Sequence, residues 1–240
     1  MKNIQGLTRK ALEKWNMIDE NDKIAVGVSG GKDSLTLLET LTKLSNYYPK
    51  KFSVVAITID MFDGKTDFSK VSEFCKSLGV EHHIVNTKLY ELLFEVRKEK
   101  NPCSLCSKIR RGALCAKANE LGCNKVALGH HADDLVETFF LSLFYEGRLS
   151  TFSPKTFLTK TNVTVIRPML LVWEKSIISH AKTLPIVQNA CPADKHTNRE
   201  WVKTLLHELG FKLPKLSGNL LSAITSPERY HLFDKFNESE

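Results

Sequence analysis

The residues best suited to chemistry fall in three separated groups: Ser29-Gly30-Gly31-Lys32-Asp33-Ser34, the run Gly129 to Asp134, and the cysteines Cys103, Cys106 and Cys191. In the first group, Gly30 and Gly31 let backbone come close to an anion, Ser29 and Ser34 carry hydroxyl donors, and Lys32 adds positive charge. Asp33 is the odd member, since a carboxylate beside phosphates makes sense chiefly as a Mg²⁺ ligand. The run stands directly between an apolar strand and a helix, so free backbone N–H groups and the helix dipole point at one place. That place suits a phosphate.

A Walker A loop needs four residues between its first glycine and Gly-Lys, and SGGKDS is too short for that. The hexapeptide resembles instead the PP-loop of the ATP pyrophosphatases, a resemblance that implies cleavage of ATP between its α and β phosphates and adenylation of a substrate. Ligands of open α/β sheets sit beyond the carboxyl ends of strands, at the switch point. Asp60, ending the second apolar strand, is therefore expected near the adenosine, with a plain capping role as the other reading.

LGHHADDLVET follows the strand NKVAL, which brings Gly129, His130, Asp133 and Asp134 to a carboxyl end as well. PP-loop enzymes that modify tRNA carry a similar GH-x-x-DD-x-x-ET signature, and the resemblance implies that the second aspartate, here Asp134, acts beside the adenylated base. Asp133 also reads as a helix N-cap. His130 and His131 lack the partner spacing of a zinc site, so a hydrogen-bonding role is expected for His130.

Cys103-x-x-Cys106 follows Pro102 at a helix start, where exposed N–H groups lower thiol pKa values. By itself the pair fits a redox dithiol, half a zinc site or half an iron-sulfur site equally. Cys75 and Cys115 read as small buried hydrophobes and Cys123 as a turn residue, whereas Cys191 lies in the irregular segment NACPADK.

Taken together, SGGKDS, PC-x-x-C-S-x-x-R-R-G, GH-x-x-DD and a lone downstream cysteine resemble the TtcA family of tRNA 2-thiocytidine synthetases and their TtuA 2-thiouridine relatives. The match spans roughly residues 20 to 195. TtuA-like proteins bear zinc-binding CxxC knuckles at both ends, and this sequence has no CxxC pair in its first or last forty residues, which places it nearer TtcA. The resemblance implies a [4Fe-4S] cluster on Cys103, Cys106 and Cys191 with one iron open to a sulfur atom. It also implies a role for Arg110, which matches a basic residue of TtuA, in contacting phosphate or the adenylate. Lys108 and Arg111 read as a solvated basic face.

The elements that must position these residues alternate. Apolar runs KIAVGVS from Lys23, FSVVAITID from Phe52, EHHIVNT, NKVALG and NVTVIRPML read as buried strands. Between and around them, helical spacing covers Leu7 to Trp15, SLTLLETLTKL, FSKVSEFCKSLG closed by Gly79, Leu89 to Arg97, the stretch after Cys106 closed by Gly122, Asp133 to Tyr145, WEKSIISHAKTL and REWVKTLLHELG from Arg199. This predicts an α/β fold with a doubly wound, mostly parallel sheet of the PP-loop ATP pyrophosphatase type, similar to the adenine nucleotide alpha hydrolases. Gly147 to Lys160 reads as a loop or small excursion over the site, and SGNLLSAITSPERYHLFD as a short helical or irregular tail. One PP-loop ATPase domain is expected over 1–240, with an N-terminal helix in 1–20 and a C-terminal helical extension in 198–240.

With 240 residues, 42% of them hydrophobic, the chain can bury a substantial core. No apolar stretch approaches the roughly 18 residues of a membrane span, and MKNIQGLTRKALEKW lacks the apolar core of a signal peptide, so a cytoplasmic location is expected. Six cysteines are too few for a disulfide scaffold. A formal charge of +7 favours a polyanionic partner.

These readings converge on an expectation. ATP, with Mg²⁺, adenylates the C2 oxygen of a pyrimidine in a tRNA anticodon loop, with cytidine 32 as the family inference, and sulfur from free sulfide or a cysteine desulfurase replaces that oxygen. A homodimer is compatible with this. Alternatives are a cluster-free thiouridylase working through a persulfide, an amide-forming PP-loop ligase, and a zinc-stabilised nucleotide-sensing RNA-binding module that does not turn ATP over.

Overall fold

The computed structural model describes residues 1–96, 102–187 and 198–229, without the side chains of Glu95 and Cys103. Five strands are parallel: β1 (Asp22–Gly27), β2 (Phe52–Asp60), β3 (His82–Asn86), β4 (Lys125–Ala127) and β6 (Val163–Ile166). A sixth, β5 (Lys155–Leu158), runs antiparallel to β6. The order is β3-β2-β1-β4-β6-β5, so the winding reverses between β1 and β4.

β5 corrects the sequence reading, which made Gly147 to Lys160 a loop or an excursion over the site. Its side chains are exposed or half-buried, so its four residues carry no apolar signal. Their backbone nevertheless pairs from Lys155 with Ile166 to Leu158 with Val163, closing the parallel sheet with a short edge strand that carries a lysine.

The helices are α1 (Lys2–Lys14), α2 (Lys32–Ser45), α3 (Ser69–Ser77), α4 (Pro102–Glu120), α5 (Ala132–Glu146), α6 (Glu174–Ala181), α7 (Asn198–Lys212) and α8 (Leu216–Thr225). Helical spacing from Leu89 is realised as a single π-helical segment, Glu91–Val96. Alternation of side chains along the strands sorts the core into two layers. Ile24, Val26, Ala56, Ala127 and Ile166 pack with Leu12, Leu37, Leu41, Cys75 and Ile177 from α1, α2, α3 and α6. Ala25, Val55, Ile57, Val126 and Val165 pack on the other face with Leu114, Cys115 and Ala118 of α4.

The chain, read from sequence as one domain with helical ends, divides into two compact units, Met1–His131 with Ser153–Ala193 and Ala132–Phe152 with Asp194–Glu240. The first holds the sheet with α1–α4 and α6. In the second, α5 packs against α7 and α8, and aromatic contacts run from Phe139 through Phe140 and Phe144 to Trp201.

Polar groups fix β1 against β4 at their amino ends. Lys125, 3% exposed, donates to the Met17 carbonyl at 2.9 Å and to Asp19 at 2.7 Å, and pairs with the buried Asp22. Asn124 donates to Asp22 at 2.6 Å and accepts from the Lys23 N–H. Removing one member of such a buried pair costs about 3–5 kcal/mol, because the other charge stays buried and uncompensated.

A second polar network holds the carboxyl end of β1. The Thr58 hydroxyl donates to the Val28 carbonyl at 2.7 Å, so toward His82 Nε2, 2.8 Å away, it accepts. His82 therefore carries its proton on Nε2, and Nδ1 accepts from Ser72 at 2.9 Å. Burial, with a smaller repulsion from His83, lowers the His82 pKa. A depressed folded value means that the contribution of His82 to stability is complete above the ordinary imidazole pKa of about 6.5 and is lost as pH falls through the folded value. Thermal unfolding from pH 8 to pH 5 should show a falling midpoint below that point, with a shallower fall in His82→Gln; an unchanged acid slope in the variant overturns the assignment.

Candidate active site at the switch point of the sheet

β1 ends at Gly27, and residues 28–31 turn into α2. The turn needs Gly30, which has φ of +81° and whose carbonyl accepts a hydrogen bond from Val187 N–H at 3.0 Å. A Cβ there would stand 2.9 Å from the Val187 Cβ. Gly31 begins α2 with no side chain capping it, which leaves the first-turn amides directed at an incoming anion.

The two serines differ from expectation. The Ser34 hydroxyl is buried, donates to the Gly31 carbonyl at 2.9 Å and accepts from Ser29 N–H at 3.1 Å. Ser29 Oγ lies 3.3 Å from Ser34 Oγ and 3.4 Å from Gly31 N. Ser34 thus braces the loop from inside rather than offering its proton outward.

Lys32 Nζ bridges Asp33 Oδ2 and Glu174 Oε1, each at 3.0 Å. Burial would lower its pKa, but the Asp33 charge and hydrogen bonds to both carboxylates hold it above the ordinary lysine value. The other Asp33 oxygen, Oδ1, is buried and accepts no hydrogen bond, and the nearest ring nitrogen, His131 Nε2, stands 3.8 Å away. A buried carboxylate oxygen left over beside a phosphate loop fits a hard cation such as Mg²⁺.

The end of β4 comes against this loop. A Cβ on Gly129 would stand 3.1 Å from the Asp33 carbonyl carbon and 3.2 Å from Ser34 N, so any larger residue would need this backbone to give by a few tenths of an ångström. Gly129, the half-buried His130 and the buried His131 thus share the switch point with the loop, as the rule for open sheets demands. Asp133 and Asp134 lie in the first turn of α5, where the helix dipole favours negative charge. Asp133, the second residue of the helix, is not its N-cap.

Asp60, at the end of β2, is not a helix cap. Its buried carboxylate accepts from Phe62 N–H at 3.1 Å, Gly64 N–H at 2.6 Å and the Thr66 hydroxyl at 2.8 Å, tying down the loop after β2. That loop presents Met61, on whose sulfur two functional candidates of α4 converge: Cys106 Sγ at 3.4 Å and Arg110 Nη1 at 3.8 Å. Four residues apart, Cys106 and Arg110 share a helix face, and Cys103 lies on the same helix one turn earlier.

Cys106 is partly exposed and forms no disulfide. Cys75 and Cys115 are buried as expected, and Cys123, read from sequence as a turn residue, is buried too; burial raises all three pKa values, that of Cys75 to about 11. They are poor thiolate donors. The expected third cysteine, Cys191, lies outside the described residues.

Sequence reasoning missed Glu174, His131, Met61 and Val187. Glu174 was findable: it opens the helix that follows the fifth expected strand, at the sheet end where ligands gather.

Fold and site together define an α/β nucleotide-binding protein with its phosphate loop at the switch point of a parallel sheet. Residues 3–209 match the model of the PP-loop domain. A tRNA-cytidine(32) 2-sulfurtransferase of Alkalilimnicola ehrlichii is 38% identical over 238 residues, 98% of this chain and 76% of that protein. One of Pseudomonas fluorescens is 40% identical over 217 residues, 89% of this chain and 79% of its own. The solved structure of the U34-tRNA thiolase NcsA from Methanococcus maripaludis with its [4Fe-4S] cluster is similar at a TM-score of 0.75 and 25% identity, covering 93% of this chain and 76% of that one. The chain belongs to the PP-loop family, in the group that these tRNA sulfurtransferases represent. This bears out the resemblance drawn from the motifs and the expected fold class.

Gly129→Ala tests the close approach of β4 to the loop. The added methyl must push on backbone, so the ATP dissociation constant is expected to rise about tenfold by calorimetry, equivalent to about 1.4 kcal/mol. Unchanged affinity would show that the approach does not shape the site.

Proposed function

We propose that the chain is an ATP-dependent tRNA sulfurtransferase that adenylates the C2 oxygen of a cytidine in the anticodon loop, position 32 in the relatives' name, and replaces it by sulfur. The supporting observation is that one end of one sheet carries both a phosphate loop and a cysteine beside an arginine: Gly30 to Asp33 follow β1, and Cys106 with Arg110 stands on Met61 just beyond β2.

In this reading the amides of the uncapped α2 terminus and Lys32 hold the phosphates, with Gly30 and Gly31 giving access. Ser29 and Ser34 keep the loop in shape, and Asp33 turns its open oxygen to Mg²⁺. Gly129 and His130 line the nucleotide at the end of β4. Asp60 serves the site indirectly, through the loop it ties down. The C2 oxygen attacks the α phosphorus, the bond to the β phosphate breaks, and pyrophosphate leaves. Hydrosulfide then adds at C2, the bond from C2 to the adenylate oxygen breaks, AMP departs, and a proton passes to solvent. Sulfur enters and leaves this exchange at one oxidation level, so no oxidant is required.

Arg110 neutralises phosphate charge, and Asp134 orients the adenylated base. A [4Fe-4S] cluster on Cys103, Cys106 and Cys191 would supply an open iron site for the incoming sulfide, which fits the soft donor set and the placement of Cys106. The sulfur is free sulfide or comes from a cysteine desulfurase, the place of action is the cytoplasm, and a homodimer is part of the reading.

Nucleoside mass spectrometry of tRNA from a deletion strain should show loss of 2-thiocytidine, and intact modification would refute the proposal. Cys191→Ala prepared without oxygen is expected to lose iron, acid-labile sulfide and thiolation while retaining ATP binding. Asp33→Ala should keep its iron and lose tRNA-dependent pyrophosphate release. Iron-free wild-type protein that thiolates normally would instead establish the persulfide route.

A further inference from the structure

Arg199 stands in the first turn of α7, where the helix dipole disfavours a cation, so its place calls for anionic partners. They lie on one face of α5. Arg199 Nη1 reaches Glu137 Oε2 at 3.0 Å and Asp134 Oδ1 at 3.4 Å, and Nη2 donates to the Thr138 hydroxyl at 3.1 Å. Residues 134, 137 and 138 are spaced as one helical stripe, so a single planar guanidinium can hold all three.

The three contacts are unequal. Glu137 is almost fully buried, its side chain 7% exposed, whereas that of Asp134 is 24% exposed. The shorter bonds go to Glu137 and Thr138 and the longest to Asp134. Glu137 and Thr138 therefore anchor the guanidinium, and the anchored group presents the rest of its fork to Asp134. This gives the last two residues of GHHADDLVET a purpose: they seat the arginine that steers the aspartate.

We propose that Arg199 is a positioning residue for the adenylation and thiolation chemistry, fixing the rotamer and charge of Asp134 from a seat made by Glu137 and Thr138. The inference rests on the role given to Asp134 under the proposed function.

A purely structural arginine would also join α7 to α5, so the test must read more than stability. Arg199→Lys keeps the charge but loses the fork. In tRNA-dependent pyrophosphate release it is expected to lower kcat at least about tenfold with KM for ATP nearly unchanged, the pattern of an interaction realised in the transition state. Arg199→Ala should fall further and recover in part on addition of ethylguanidinium. Thr138→Val, which removes a seat bond without reaching Asp134, should lose less than Arg199→Lys.

Wild-type kcat in Arg199→Lys overturns the inference. So does a loss in Arg199→Ala that ethylguanidinium leaves unmoved and that Thr138→Val reproduces in full. Absence of tRNA-dependent pyrophosphate release in the wild-type protein would refute the proposed function itself, which keeps the two failures distinct.

Discussion

The register between β1 and β4 is the constraint on which the site depends, and it is set at both ends by different physics. At the amino ends a buried lysine with two carboxylates, a main-chain carbonyl and an asparagine permits one alignment, since sliding by a residue would strand charge in the core. At the carboxyl ends the missing side chain of Gly129 lets the two chain reversals touch. Electrostatics fixes which residues face one another, and sterics fixes how closely. The nucleotide loop and the histidine-bearing turn are neighbours because of both.

Within that frame, many polar groups of the site are occupied by one another before any ligand arrives. Ser34 ties Gly31 to Ser29, Thr58 and His82 hold the strand that enters the loop, and Asp60 holds the loop that carries Met61. These bonds make the donors and the thiol rigid, which is what positioning catalysis requires of a scaffold. The same economy explains why Glu137 tolerates burial: a cationic fork meets it.

Much of this was legible in the chain itself. Four of the five parallel strands announce themselves as apolar runs because both faces of the sheet are covered there, while the half-exposed edge strand β3 was found from its place in the alternation; the loop motif stands out because it sets two glycines, a lysine and an aspartate between strand and helix. β5 was not legible, since an exposed edge strand owes its existence to backbone pairing with β6 and leaves no pattern in side chains. Nor was the partner of Asp134, because Arg199 is distant in sequence and its meaning is created by folding. Asp60 and Ser34 were found as polar residues in the right places, but residue type cannot say whether a group turns inward to its own loop or outward to a ligand. Cys191 lies outside the described residues, so its grouping with Cys106 rests on the motif.

The ion pairs of Lys32 carry a further consequence. One ammonium faces two carboxylates, so an incoming phosphate meets both signs of charge at Lys32. A bare polyphosphate would meet repulsion from Asp33 and Glu174 as well as attraction from the amides. A polyphosphate escorted by a divalent ion would carry positive charge to the two carboxylates, so charge balance alone, with no contact to the base, would favour chelated over free nucleotide.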